Sequence, residues 1–230
     1  MSLYVYCLSD ELDEAGLAGV RGLNDEPARL LACAGLAAVV SRFEEAPAPV
    51  TREHVLAHNR VNSQVLASIT PLPFRFGTLT DESRLTAYLR ERAADLRALL
   101  ARVRGSVEMS VKLMWRTDEA PAESSAETGG ATTGTAFLLA RRRALLGAED
   151  AQRRAEELAA WLDARTSDLT RESETRLRPA ETIVVRAAHL VARASVADYR
   201  ERLRTLRAER PDQRFLTSGP WPPYSFTRPN

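Results

Sequence analysis

Pro71 and Pro73 sit one residue apart between two helical patterns. Each removes a backbone donor, and together they hold the chain extended, so no helix runs through Thr70-Pro71-Leu72-Pro73-Phe74-Arg75-Phe76-Gly77. Phe74 and Phe76 alternate with Arg75, the period of a strand with one apolar face. Gly77 then permits a turn closed to most other residues. On local physics the stretch is a buried strand entered through a stiff bend. It holds no nucleophile and no metal ligand.

The flanking chain reads as mixed α and β structure. Leu3 to Leu8 is an apolar run and a first strand, and Asp10 to Asp25 is a polar, glycine-containing loop. The apolar runs Arg29–Cys33 and Leu36–Phe43 flank Ala34-Gly35 and make a hairpin. Thr51 is an N-cap for a helix to about Ser68, with Val55, His58, Val61 or Asn62, Val65 and Ile69 on one face. Thr80 or Asp81 caps a second helix, whose apolar stripe is Leu85, Tyr88, Leu89, Leu96, Leu99, Leu100 and Val103 and which ends at Gly105. Residues 1–105 are thus expected to form an N-terminal α+β domain.

Ser106 to Arg116 is the clearest strand, with Val107, Met109, Val111, Leu113 and Trp115 on one face. Asp118 to Thr135 is rich in Ser, Thr, Gly, Ala and Glu and reads as a mobile loop. A long helix follows from Ala136 to about Arg165, with a bend possible at Gly147. Thr170–Arg178 is a polar strand, Thr182–Ala194 a strong one, Ser195 caps a helix to Glu209, and Arg214–Thr217 is a last short strand. Strand, helix, strand, strand, helix, strand is the split βαβ order of a ferredoxin-like sandwich, expected over residues 106–218. That order says little about function, because the fold hosts many activities.

Composition excludes some classes. The chain has 230 residues, 44% hydrophobic and 27% charged, with a net charge of +1. Such a balance suits a globular protein and argues against a strongly basic nucleic-acid binder. No apolar run reaches the roughly 18 residues of a membrane span. Met1-Ser2-Leu3-Tyr4-Val5 lacks a basic leader and a long apolar core, so a cytoplasmic chain is expected. Cys7 and Cys33 lie in apolar runs and make no disulfide framework; both are expected as buried free thiols.

Candidate chemistry is thin. His54 and His58 share a helix face, but a zinc site needs a third ligand, and Val55 stands where a metalloprotease places Glu. His189 is alone in a strand and reads as a packed histidine. Gly129-Gly130 lacks the residues of a phosphate loop, and Arg141-Arg142-Arg143 spread around a helix as a solvated face. The tail Gly219-Pro220-Trp221-Pro222-Pro223-Tyr224-Ser225-Phe226 is the sharper oddity. It puts large aromatic area on a stiff backbone that loses little entropy on ordering. It is either an intramolecular clasp, docked between the two halves, or a strip offered to a partner protein.

Several stretches together resemble the gas vesicle F/L family (GvpF/GvpL). They are Leu3-Tyr4-Val5-Tyr6, Leu36-Ala37-Ala38-Val39-Val40-Ser41, the helix with His54 and His58, Pro71 to Gly77, Val107 to Leu113, and Gly219 to Phe226. The resemblance implies an accessory or minor structural protein of gas vesicles and not an enzyme. It would bind the small apolar shell protein (GvpA-type) and other accessory proteins during nucleation and assembly, with no cofactor, no nucleic acid and no membrane. It implies two α+β domains, the second a modified ferredoxin-like one; residues 219–230 are expected, from their own composition, as a tail docked between them. Phe74, Arg75, Phe76, Trp221, Tyr224 and Phe226 are the candidate partner-binding residues. The competing class is a ferredoxin-like ligand-binding or haem enzyme, with His189 as the axial ligand.

Overall fold

A strand with no polar face must lie in the middle of a sheet with cover on both sides. β1 (Ser2–Ser9) is such a strand, buried at every position from Leu3 to Ser9. In the computed structural model, which describes residues 2–44, 48–115, 134–179 and 182–227, it is the centre of the first sheet. On one side it pairs antiparallel with β3 (Leu36–Arg42), itself joined as a hairpin to β2 (Arg29–Cys33). Ala34 (φ 53°) and Gly35 (φ 71°) adopt the left-handed pair of angles that such a two-residue turn requires.

On the other side β1 pairs with β4 (Leu72–Pro73) and β5 (Leu79–Asp81), both antiparallel to it. Phe74 donates its N–H to the Tyr6 carbonyl and Val5 donates to the Thr78 carbonyl. β4 and β5 therefore track one edge of β1 in sequence, as a single strand interrupted by an outward loop at Arg75–Gly77. This corrects the expected alternation of Phe74 and Phe76 along one strand. The Thr78 N–H closes on the Arg75 carbonyl at 3.2 Å, and Gly77 sits at φ 83°. The loop leaves Arg75 exposed and turns Phe76 back toward the core beneath β1.

That core is closed by α1 (Arg52–Ser68). The Thr51 side chain caps it by accepting from the His54 N–H at 3.1 Å. Its buried face carries Ala57, His58, Val61, Asn62, Val65 and Leu66. Tyr4, Tyr6 and Val39 from the sheet and Phe43 just past β3 pack with it, as do Leu17, Val20 and Leu23 from the segment expected to be plain loop. Asp81 caps α2 (Glu82–Glu91) through the Arg84 N–H. The single second helix expected from the sequence is broken at Arg92 (φ −101°, ψ 10°), after which α3 runs over Ala93–Val103. The break spans one residue and leaves the leucine periodicity intact, so no pattern marks it. Gly105, at φ 68°, ends α3 as expected.

The second sheet is formed by β6 (Ser106–Met114), β7 (Thr170–Leu177), β8 (Ile183–Ala192) and β9 (Arg214–Trp221), in the order β7-β8-β6-β9. β7 and β8 form an antiparallel hairpin. α4 (Gly134–Thr166) continues through Gly147 without interruption, and α5 (Val196–Glu209) buries Tyr199, Leu203 and Leu206. β9 extends past the expected end at Thr217 to include a cis Gly219-Pro220 bond. The chain divides into two compact units, residues 1–108 with 219–230, and residues 109–218. Arg116, most of the expected 118–135 loop and the side chains of Phe137, Leu138, Arg141, Arg142, Arg143 and Leu145 lie outside the described residues. Cys7 is buried and Cys33 half-buried, both as free thiols. Among the described residues no helix is long and apolar enough to cross a membrane.

Candidate functional site

The tail is fastened to the first unit by a carboxylate. After Trp221 the chain makes a short 3-10 turn, Tyr224–Phe226, and buries Pro222, Pro223 and Phe226. The Ser225 N–H donates to Oε2 of Glu108 at 2.7 Å, and the Ser225 hydroxyl bonds Oε1 at 3.0 Å. Glu108 is itself buried, so these charge-assisted bonds are strong ones. The sequence places Glu108 on the polar face of a strand, beside Ser110 and Lys112. Nothing in that pattern distinguishes a tail anchor from a solvated acid.

One turn of the tail also reaches the core of the first unit. The Tyr224 hydroxyl lies 3.1 Å from Nε2 of His58, and Asn62 Nδ2 lies 3.1 Å from the same nitrogen. Asn62 Nδ2 is a donor, so Nε2 accepts and Nδ1 carries the proton, facing the Tyr4 hydroxyl at 3.0 Å. Tyr4 Oη in turn accepts the Gly77 N–H at 3.0 Å. The rings of Tyr4, Tyr6 and Phe76 surround the imidazole at centroid distances of 5.7 to 5.8 Å. Tyr6 Oη accepts the Leu23 N–H and bonds Ser41 Oγ, each at 2.8 Å.

The electrostatics make this cluster a neutral clasp. Burial lowers the His58 pKa to about 4, against a weaker opposing contact with the Phe74 backbone. Burial raises Tyr4 to about 12, partly offset by the Gly77 N–H, and raises Tyr6 and Tyr224 as well. Each of these shifts favours the neutral form of its group around neutral pH. What the arrangement does is tie α1, β1, the Arg75–Gly77 loop and the tail to one another through a single ring.

Beside the clasp, on the same unit, lies an open groove of about 280 Å³. Leu8, Leu72, Leu96 and Leu99 make its buried floor, and Phe74, Tyr88 and Tyr224 its rim. Arg75 and Arg92 stand at the same opening. The structure therefore brings Phe74, Arg75 and Tyr224 together at one surface. Phe76 faces His58 and Tyr4 inside, Phe226 is only 2% exposed, and Trp221, 38% exposed, lies on β9 and does not line the groove. Sequence reasoning placed Tyr88 on the apolar stripe of its helix and missed Arg92, one turn on; their spacing matches a helix face but carries no sign of what the face meets.

The remaining candidates are accounted for locally. His54 bonds the Pro49 carbonyl and Asn24 Oδ1, at 3.0 and 2.9 Å. Among the described residues no three His, Cys, Asp or Glu side chains gather as a metal site. His189 is fully buried, with Nδ1 2.7 Å from the Tyr199 hydroxyl, and burial lowers its pKa to about 4.

Comparison with known proteins gives one consistent result. The family described as gas vesicle synthesis protein GvpL/GvpF matches residues 2–228. Gas vesicle protein L2 of Halobacterium salinarum is 28% identical, over 97% of this chain and 90% of its own length. Gas vesicle protein L of a Streptomyces species is 29% identical, over 97% and 91%. Among solved structures, gas vesicle protein GvpF from an Anabaena species superposes with a TM-score of 0.83 at 20% identity, covering 100% of this chain and 97% of that one. GvpF from Microcystis aeruginosa gives 0.80 at 18% identity, with 99% of each chain covered. At these identities the structures speak for the fold: mixed α and β, with two sheets and five helices.

Proposed function

The chain belongs to the gas vesicle synthesis protein GvpL/GvpF family, and from that premise we propose that it is an assembly adaptor. It binds the small apolar shell protein and other accessory proteins while gas vesicles nucleate and grow. A shell subunit with an apolar face aggregates if it waits in water. A scaffold that covers part of that face, through a groove or a sheet edge, keeps it usable. The adaptor acts by contact and not by bond chemistry, in the cytoplasm and at the gas vesicle, with no cofactor.

The observation that carries this reading is the groove beside the clasp. Phe74, Arg75 and Tyr224 come from segments about 150 positions apart and share one opening. The pinned tail supports it, because Glu108 and His58 fix Tyr224 at no further entropic cost when a partner arrives. Phe76 and Phe226 serve from inside, by holding the loop and the tail in place. Trp221 offers a second contact on β9. For the C-terminal unit we favour a modified ferredoxin-like domain, supported by the sheet order β7-β8-β6-β9 with α4 and α5 as crossovers.

The test is co-purification with a gas vesicle shell subunit, repeated with Trp221→Ala and Tyr224→Ala. The adaptor reading expects capture by the wild type and weakened capture by Tyr224→Ala in protein that still folds. Unchanged capture by both folded variants takes the tail out of the binding surface, and no capture by the wild type sinks the reading.

A further inference from the structure

We propose that the groove rimmed by Phe74, Tyr88 and Tyr224 is a receptor for an acidic, aliphatic peptide segment of a partner protein, which seats its side chains on the leucine floor and its carboxylate on Arg75. The proposal rests on the docking role above and adds the chemistry of the docked segment. Its first support is shape. The floor is apolar and closed by Leu8, Leu72, Leu96 and Leu99, while Tyr88 remains 37% exposed at the mouth. At about 280 Å³ the space is at the small end for ligand pockets, about 300–1,000 Å³, and suits one or two anchoring side chains more than a whole cofactor.

The second support is charge. The groove is lined by two guanidinium groups and, among the described residues, by no carboxylate. Arg92 already pairs with Asp95 at 2.8 Å. Arg75 has no ion pair among the described residues and lies exposed on the loop that interrupts the sheet edge. An apolar floor with one uncommitted cation beside it selects a segment that presents aliphatic side chains next to Asp or Glu, and disfavours a basic one. Arginine gives that contact two-pronged geometry. The third support is rigidity: the Thr78–Arg75 turn bonds and the Gly77–Tyr4 bond hold the loop before anything binds.

The test uses the full chain and fluorescein-labelled peptides, read by anisotropy at low salt. The probe is Glu-Leu-Leu-Glu-Leu; the controls are Gln-Leu-Leu-Gln-Leu and Glu-Ser-Ser-Glu-Ser. The probe is expected to bind at least tenfold more tightly than either control. Arg75→Glu is expected to weaken it at least tenfold without changing the melting temperature, since Arg75 is exposed. Thr175→Ala, on β7 and off the groove, leaves it unchanged. Equal binding of the Gln control, or no loss in folded Arg75→Glu, overturns the proposal. Failure of the peptide with shell-subunit capture intact would sink this inference alone; failure of capture with peptide binding intact would sink the adaptor role and leave the groove chemistry standing.

Discussion

His58 spends the folded state as a neutral ring. Its pKa of about 4, held there by burial, lies below the 6.5 of an unfolded histidine. Below pH 6.5 the unfolded chain therefore takes up a proton that the folded chain refuses until about pH 4, and stability falls as pH drops through that window. His189 does the same in the other unit. By pH 5 each histidine removes about 2 kcal/mol. We expect the thermal midpoint to fall between pH 7 and 5, and His58→Gln and His189→Gln each to flatten that slope; a midpoint independent of pH contradicts it. Gly22 is the other sharp test at this scale. A Cβ there would overlap Tyr6 Oη, a rigid buried group already fixed by Ser41 and Leu23. Gly22→Ala should cost about 1–3 kcal/mol by overpacking, read as a lower urea midpoint. Caps were legible in the sequence, because Thr51, Asp81 and Gly105 stand where helix ends need them. Glu108 and Asn62 were not, because one polar side chain inside a regular pattern looks the same whether it meets water or a buried partner.

Among the elements, the interrupted edge strand decides most. Pro71 and Pro73 made the extended approach readable from composition alone. The outward loop was not readable, since it depends on β5 returning to the same edge of β1, a pairing between residues over seventy positions apart. Gly77 lets the loop close at φ 83°, with open space around the position. Gly77→Ala should therefore cost about 1–2 kcal/mol from backbone strain alone, and should loosen the Arg75 loop more than the sheet. Hydrogen exchange at Phe74–Thr78 checks this: faster exchange there with β1 still protected is the expected outcome, and uniform loss across the sheet contradicts it. The break at Arg92 shows the same limit, since periodicity reports which face is apolar and not where the axis turns.

Across the whole molecule, the tail belongs to the first compact unit although it follows the second in the chain. Deleting residues 219–230 removes the burial of Phe226, the Glu108–Ser225 bonds and the Tyr224–His58 bond. The loss should be about 3–5 kcal/mol and should appear as lost exchange protection in α1 and β1, with the β7–β8 hairpin unaffected. Most of the strands and helices were legible in the sequence because each carried its own pattern; the tail's destination was not, because it depends on a histidine and a glutamate far upstream. The most direct test of the adaptor role is a photo-crosslinking amino acid placed at Phe74 or, as control, at Thr175 on the exposed edge strand β7, in cells that also make a gas vesicle shell subunit. A crosslink to the shell subunit from position 74 and none from 175 is the result expected; labelling from 175 alone, or equally from both, would contradict it.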